Sequence, residues 1–288
     1  MVASMTGYAR ESVEAPWGSA TWEVRSVNHR FLDVSVRVPE DLRLLENTAR
    51  ERVQGRLRRG KVDCTLRLEL RPGAGEGLTV DEPLLQELLQ AMREVEASQP
   101  SLHAPTALDL LRWPGVLDAG TPAIEDISPV LVDALERAIV TLADMRAGEG
   151  AVLAEGLATR CGQAADLVAR LRERIPDIIA EQTARLRQRI DELATDADPG
   201  RIEQEIALLA SRMDVAEEMD RLEAHIAEVT RTLGKNEPIG RRLDFLLQEM
   251  NREANTIGSK SAHVDSTGVS IELKVLIEQM REQVQNIE

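Results

Sequence analysis

The sequence predicts an α+β protein: a small antiparallel-sheet N-terminal domain, followed by long helical arms and a C-terminal helical bundle. Three observations carry this. Apolar and polar residues alternate over residues 20–38 and 61–70, apolar residues recur at helical spacing from residue 81 onward, and the turn-forming stretch RPGAGEG at 71–77 separates the two regimes. The domain boundaries that follow are 1–77, 78–196 and 197–288.

Residues 20–38 read as a strand pair. Trp22 and Val24 alternate with Glu23 and Arg25, Leu32, Val34, Val36 and Val38 alternate with Asp33, Ser35 and Arg37, and Asn28-His29 marks the turn. Pro39-Glu40-Asp41 opens a helix through Leu42, Leu45, Ala49, Val53 and Leu57, which Gly60 stops in a left-handed conformation. Val62, Cys64, Leu66, Leu68 and Leu70 then share one face of a further strand. Beyond it, Leu84, Leu85, Leu88, Leu89, Met92 and Val95 mark an amphipathic helix, and a short helix precedes Trp113-Pro114-Gly115. Gly148, Gly150, Gly156 and Pro176 interrupt the helical pattern between Ser128 and Ala194, which predicts two or three long helices there. A linker at Thr195–Gly200 leads to three helices near 201–233, 239–257 and 268–286.

The composition is that of a soluble globular protein, with 43% hydrophobic and 30% charged residues, and no apolar stretch approaches the roughly 18 residues of a membrane span. No basic-then-apolar leader is visible, and the two cysteines are too few for a disulfide framework or a thiolate zinc cluster, so a reducing cytoplasm is the expected setting. The net charge of −15 opposes a nucleic-acid partner on average, yet residues 1–71 carry 13 Lys and Arg against 10 Asp and Glu. That segment is +3, and the remainder, with 22 against 40, is −18. With only six aromatic residues, an RNA site is expected to depend on charge and amides. Neither a phosphate-binding glycine loop nor a GxSxG elbow is present, which disfavours nucleotide and serine hydrolysis.

Two helical segments concentrate chemistry. Val215, Met219, Leu222, Ile226 and Val229 form an apolar seam, and beside it Asp214, Glu218, Arg221 and His225 repeat at 4-3-4 spacing. Charged flanks of a seam are ordinary in a helical pair, so this stripe is equally readable as packing. In the next helix Leu243, Leu247, Met250 and Ala254 supply the seam, while Glu249 and Glu253 stand one turn apart among Gln248, Asn251, Arg252 and Asn255. Carboxylates at i,i+4 can share Mg²⁺ or Mn²⁺, and an antiparallel pairing would bring Glu218 and His225 towards them. Arg241, Arg242 and Lys260 suit phosphates, and His29 lies between Arg25 and Arg30 in what is also readable as a plain polar turn. His103 and His263 fall in loops and receive no role.

SMTGYAR at 4–10, WEVRSVNHRFLDVSVRVPE at 22–40, RGKVDCTL at 59–66, DVAEEMDRLEAHI at 214–226, GRRLDFLLQEMNREANTIGSKS at 240–261 and the ending REQVQNIE together resemble the YicC/YloC family over the full length. The resemblance implies a cytoplasmic bacterial endoribonuclease that acts on RNA with a divalent metal and assembles as a homo-oligomer, a hexamer with a central cavity. Carried onto these residues, the C-terminal motifs point to Asp214, Glu217, Glu218, Arg221, His225, Arg241, Asp244, Glu249, Arg252, Glu253, Asn255 and Lys260, and among these Glu249 and Glu253, with Glu218 and His225, are expected to be catalytic and to hold Mn²⁺ or Mg²⁺. Arg25, Asn28, His29, Arg30, Arg241, Arg252, Asn255 and Lys260 would then bind RNA. Metal-independent transfer to the 2′-hydroxyl with His29 or His225 as base is the internal alternative. A non-catalytic RNA-binding adaptor or helical scaffold is the alternative of another class.

Overall fold

The computed structural model describes residues 2–71, 74–75, 77–99, 105–118, 122–193, 199–235, 237–260 and 263–288. His103 and most of the linker at 195–200 lie outside the described residues. Two compact units are present, one of Gly7–Ala143 and one of Met1–Thr6 with Asp144–Glu288. Their border falls inside a long helix, whose first part belongs to one core and whose remainder belongs to the other.

The α+β class expected from the sequence is the class of the fold. In the first unit β1 (Gly7–Ala15), β2 (Gly18–Val27), β3 (Leu32–Arg37) and β4 (Gly60–Leu70) form a sheet of order β1-β2-β4-β3. The sheet is mixed, which corrects the expected antiparallel one. β1, β2 and β4 run antiparallel, but β3 pairs parallel with β4, with Leu32 opposite Gly60 and Arg37 opposite Thr65. Strands β2 and β3 are therefore not a hairpin, since β4 lies between them. The cause is α1 (Leu45–Arg56), whose crossover returns the chain to β3 in the same direction. Strand β1 escapes sequence patterning because Ala9 alone is fully buried along it. Its two-residue turn leads into Gly18, where φ is +139° and a Cβ would fall 2.1 Å from the Glu69 carbonyl oxygen. Helix α1 ends at Leu57, in extended conformation, and Gly60 takes its positive φ at the start of β4 instead.

Trp22, Val24, Val62, Cys64 and Leu66 from the sheet pack on Ala49 and Val53 of α1 and on Ile127, Leu131, Leu135 and Leu142 of α4 (Ile124–Leu193). Trp22 Nε1 donates to the Leu131 carbonyl at 2.9 Å, which gives the buried indole its one required partner. The unit also contains β5 (Thr79–Val80), α2 (Glu82–Ser98), α3 (Ala107–Leu111) and β6 (Leu117–Asp118), with Asp81 capping α2 and a Thr106/Asp109 capping box on α3.

Helix α4 is one helix of 70 residues, not the two or three that its glycines and proline suggest. Burial of its apolar face outweighs the local cost of roughly 1 kcal/mol per interior glycine. Arg174 bridges forward across Pro176 to Asp177 and Glu181, so side-chain pairs span the turn in which the proline removes a backbone donor. Gly150 is needed for packing, since a Cβ there would lie 2.3 Å from the Val2 carbonyl oxygen.

The second unit packs α4 residues Leu157, Cys161, Val168, Leu171 and Ile178 against α6 (Ala216–Leu233), α7 (Gly240–Lys260) and α8 (Val264–Val284), with α5 (Pro199–Arg212) preceding them. The apolar seams expected on α6 and α7 are all buried. The single helix expected at 201–233 is divided at Met213–Val215, where the Asp214 side chain accepts from the Ala216 N–H and both Met213 and Val215 are buried. Ser4 bridges Ile287, and buried Arg146 donates to the Ser4 carbonyl and to Glu288 Oε2, each at 2.6 Å.

Candidate functional site

Helices α6 and α7 run antiparallel and are tied by a ladder of ion pairs beside their apolar seam. Glu218 Oε1 lies 2.7 Å from Lys260 Nζ, Arg221 Nη1 lies 3.6 Å from Glu253 Oε1, and Glu228 Oε1 lies 2.5 Å from Arg242 Nη2. Numbers that rise along α6 fall along α7, as a short connection between neighbouring helices requires. This register puts His225 and Glu249 on the step between the Arg221–Glu253 and Glu228–Arg242 pairs. No hydrogen bond or ion pair of His225 is present among the described residues, and Glu249 reaches only Arg252, at 3.9 Å.

Two of these carboxylates are buried, Glu218 at 8% exposure and Glu253 at 6%. Burial disfavours an ionised carboxylate unless a cation or donors compensate, and Lys260 and Arg221 are those cations. Compensation is incomplete at Glu218, whose Oε2 is buried without a hydrogen-bond partner. Arg221 also binds Glu217, whose charge is the main reason that its guanidinium holds its proton more tightly than usual. Further along, the hydrogen bond from Arg242 leads the effects that hold Glu228 below the ordinary carboxylate range. Sequence reasoning misses Glu228, because its distance of 14 residues from Arg242 gives no local pairing signal.

Of the remaining α7 residues, Arg241, Arg252, Asn255 and Lys260 occupy exposed or half-exposed positions, and Asn255 Nδ2 donates to Asn251 Oδ1 at 3.1 Å. Gly258 and Ser270 bring α7 and α8 close: Ser270 Oγ donates to the Ala254 carbonyl at 2.8 Å, and a Cβ on Gly258 would lie 2.5 Å from Ser270 Oγ. His263, expected in a loop without a role, caps α8, with Nδ1 accepting from the Asp265 N–H and Nε2 lying 3.3 Å from Glu181.

Arg25, Asn28, His29 and Arg30 belong to the other unit. Arg25 is exposed on the outer face of β2, and the other three form the exposed segment between β2 and β3. His29 Nδ1 lies 3.0 Å from the Phe31 carbonyl oxygen. The Phe31 N–H also points at Nδ1, at 3.5 Å, so Nδ1 faces both a backbone acceptor and a backbone donor.

No group of three or more His, Cys, Asp or Glu side chains arranged for a metal ion occurs among the described residues. Glu218, His225, Glu249 and Glu253 thus lie along one helix pair without forming a ready-made cage. Mg²⁺ usually keeps waters and binds through one or two carboxylates together with substrate phosphates, and Glu218 Oε2, buried and without a hydrogen-bond partner, is a carboxylate oxygen left unsatisfied.

Comparison with known proteins matches the chain in two parts. Residues 2–155 match the description "Endoribonuclease YicC-like, N-terminal region", and residues 171–288 match "Endoribonuclease YicC-like, C-terminal". This chain belongs to the YicC-like endoribonuclease family. A protein of Haemophilus influenzae named "Probable endoribonuclease YicC" is 42% identical over 288 residues, covering all of both chains. One of Clostridioides difficile with the same name is 31% identical over 293 residues, again covering all of both. The two matches therefore span both the sheet unit and the carboxylate-bearing helices. No helix among the described residues is long and apolar enough to cross a membrane.

Proposed function

We propose that the chain is a divalent-metal-dependent endoribonuclease that cuts RNA phosphodiester bonds at the α6/α7 face, working in the cytoplasm as a homo-oligomer of the hexameric kind that the family resemblance implies. The observation that carries this reading is the buried carboxylate pair, Glu218 and Glu253, each held by one cation across the helix pair, in a chain whose full-length relatives are named probable endoribonucleases. Glu218, through Oε2, and Glu253 would hold Mn²⁺ or Mg²⁺, with Glu249 and His225 on the adjacent step. A cation there would supply Lewis-acid stabilisation to charge developing on the phosphate oxygens.

The chain's own side chains do the rest. Arg221 and Lys260 neutralise the buried carboxylates before RNA arrives and can turn to phosphate when a metal takes their place. Arg241 and Arg252 offer further exposed guanidinium groups, and Asn255 offers an amide that can donate to a base or a 2′-hydroxyl.

One observation favours a second reading, the exposed position of His29 between Arg25 and Arg30. The exposed ring turns Nδ1 to the Phe31 backbone, which leaves Nε2 to take a proton from a ribose 2′-hydroxyl, and Arg25 and Arg30 stand ready for the phosphate. The two readings leave different ends on the product. Cleavage abolished by chelator and leaving no cyclic phosphate supports the carboxylate site; cleavage that persists in chelator, leaves 2′,3′-cyclic phosphate and is lost in His29→Ala supports the histidine.

A further inference from the structure

We infer that the outer face of the N-terminal sheet is a platform for single-stranded RNA, on which Tyr8 and Phe31 each stack a base while Arg25, Arg30, Arg58 and Lys61 take phosphates. The inference rests on the reading of RNA as substrate and assigns the surface that holds it.

The sheet register assembles this surface from four separate parts of the sequence. Tyr8 of β1 is paired with Arg25 of β2, and Arg25 with Asp63 of β4. Residues paired across a sheet point to the same side, and the next row, Ala9, Val24 and Cys64, is buried, so the Tyr8–Arg25 row faces outward. At the same end of the sheet Lys61 pairs with both Val27 and Asp33, which brackets the 28–31 segment, and Leu32 pairs with Gly60. Phe31 and Arg30 immediately precede this pair on one side and Arg58 precedes it by two residues on the other, so all three lie at the Gly60–Lys61 end of the sheet.

Three properties separate this surface from an ordinary solvated face. Tyr8 is 47% and Phe31 59% exposed, and unlike the other exposed rings, Trp113 and Phe245, they stand at the margins of one sheet. An exposed ring loses the hydrophobic gain that ordinarily places it in a core. Arg30 lies over the Phe31 ring, 5.1 Å from its centre, which fixes the ring and leaves its opposite side for a base. Finally, Arg25, Arg30, Arg58 and Lys61 have no carboxylate partner among the described residues, whereas Arg52, Arg137, Arg172 and Arg174 are all paired. Asp33 and Asp63 are the opposing charges on this end of the sheet, so cations prevail by four to two.

The spacing sets the mode of binding. Tyr8 and Phe31 lie at opposite margins of the four strands, about 14 Å apart across the sheet at roughly 4.8 Å per strand and, since the Tyr8 row meets β3 at Ser35, about 13 Å apart along it at roughly 3.3 Å per residue, so they would take bases separated by intervening nucleotides whose phosphates cross Arg25 and Lys61. A duplex keeps its base faces stacked inside and cannot use the rings, which makes unpaired RNA the ligand.

The test measures binding of a labelled 12-nucleotide single-stranded RNA to the full chain by fluorescence anisotropy in chelator. Tyr8→Leu and Phe31→Leu should each weaken binding about tenfold with an unchanged salt slope, and Phe31→Tyr should restore it. Arg25→Gln and Lys61→Gln should each reduce the log–log salt slope by about 0.7. Trp113→Leu, which alters an exposed ring that is not part of this sheet, should bind as wild type does. Wild-type affinity in both aromatic variants, or equal losses for a blunt duplex, would overturn the platform even if the protein cleaves RNA. Binding that follows this pattern without any cleavage would leave the platform standing and remove the nuclease reading.

Discussion

Lys260 of α7 stands 2.7 Å from Glu218 Oε1 of α6 and donates to the Asp214 carbonyl at 3.0 Å. One ammonium group thus closes the entry to α6 and neutralises a buried carboxylate whose other oxygen has no partner. Removing only the cation leaves a buried charge, which costs more than removing both partners. Lys260→Met should therefore lower unfolding free energy by about 2 kcal/mol, and Lys260→Met with Glu218→Leu should recover most of it. Urea denaturation measures both, and a double variant no more stable than the single one would contradict this role for Lys260.

Gly258 fits where it is because α8 passes so close. A methyl group at this position would meet Ser270 Oγ at 2.5 Å, and Ser270 cannot turn away without losing its bond to the Ala254 carbonyl. Gly258→Ala should cost about 2 kcal/mol, with partial recovery in Gly258→Ala/Ser270→Gly. Thermal unfolding of the three proteins checks it; a Gly258→Ala variant as stable as wild type would show that the helices part without cost.

Burial pushes the Cys64 thiol up to about 12, with Asp63 adding to it, and burial also raises Cys161. The thiolate is the reactive species. Neither residue should react with a thiol reagent at pH 8 in the native protein, and both should react in denaturant. Rapid modification of either thiol before unfolding would show that its core opens locally.

Glu181 is held below the ordinary carboxylate value of 4.5, chiefly by its hydrogen bond from Arg174. A carboxylate with a lowered folded-state pKa contributes stability that is complete above the unfolded value and disappears as pH falls through the folded one. The unfolding midpoint should therefore drop more steeply below pH 4.5 in wild type than in Arg174→Met. Parallel pH curves for the two proteins would remove the role assigned to this pair.

Much of the fold is legible in the residues alone. Alternation over 61–70 places β4, and the 4-3 apolar spacing places the buried faces of α6 and α7, since both follow from side-chain period. The parallel β3–β4 pairing is not legible, because pairing partners are chosen by the crossover through α1, while Asn28-His29 looks locally like a turn between neighbours. The continuity of α4 escapes for a related reason: glycine and proline report local preference, and the cores on which α4 packs outweigh it. In the candidate site, i,i+4 spacing locates Glu249 and Glu253 but cannot show that Glu218 and Glu253 are the buried members. Burial and the pairs with Lys260 and Arg221 are set across helices, as is Arg242–Glu228. Tyr8 and Phe31 are hidden by composition, which counts aromatic rings without showing which of them face water.

Metal-dependent cleavage at Glu218 and Glu253 is tested most directly by incubating purified full-length protein with end-labelled single-stranded RNA in Mn²⁺, in Mg²⁺ and in chelator, beside Glu218→Gln and Glu253→Gln variants shown to keep the wild-type assembly. The predicted result is internal cuts that need the metal and fall at least about a hundredfold in either variant, the loss typical of removing a group that stabilises developing charge. Cuts of undiminished rate in chelator and in both variants would contradict it and move the chemistry to His29, and wild-type protein that binds RNA without cutting it would contradict the enzyme reading altogether.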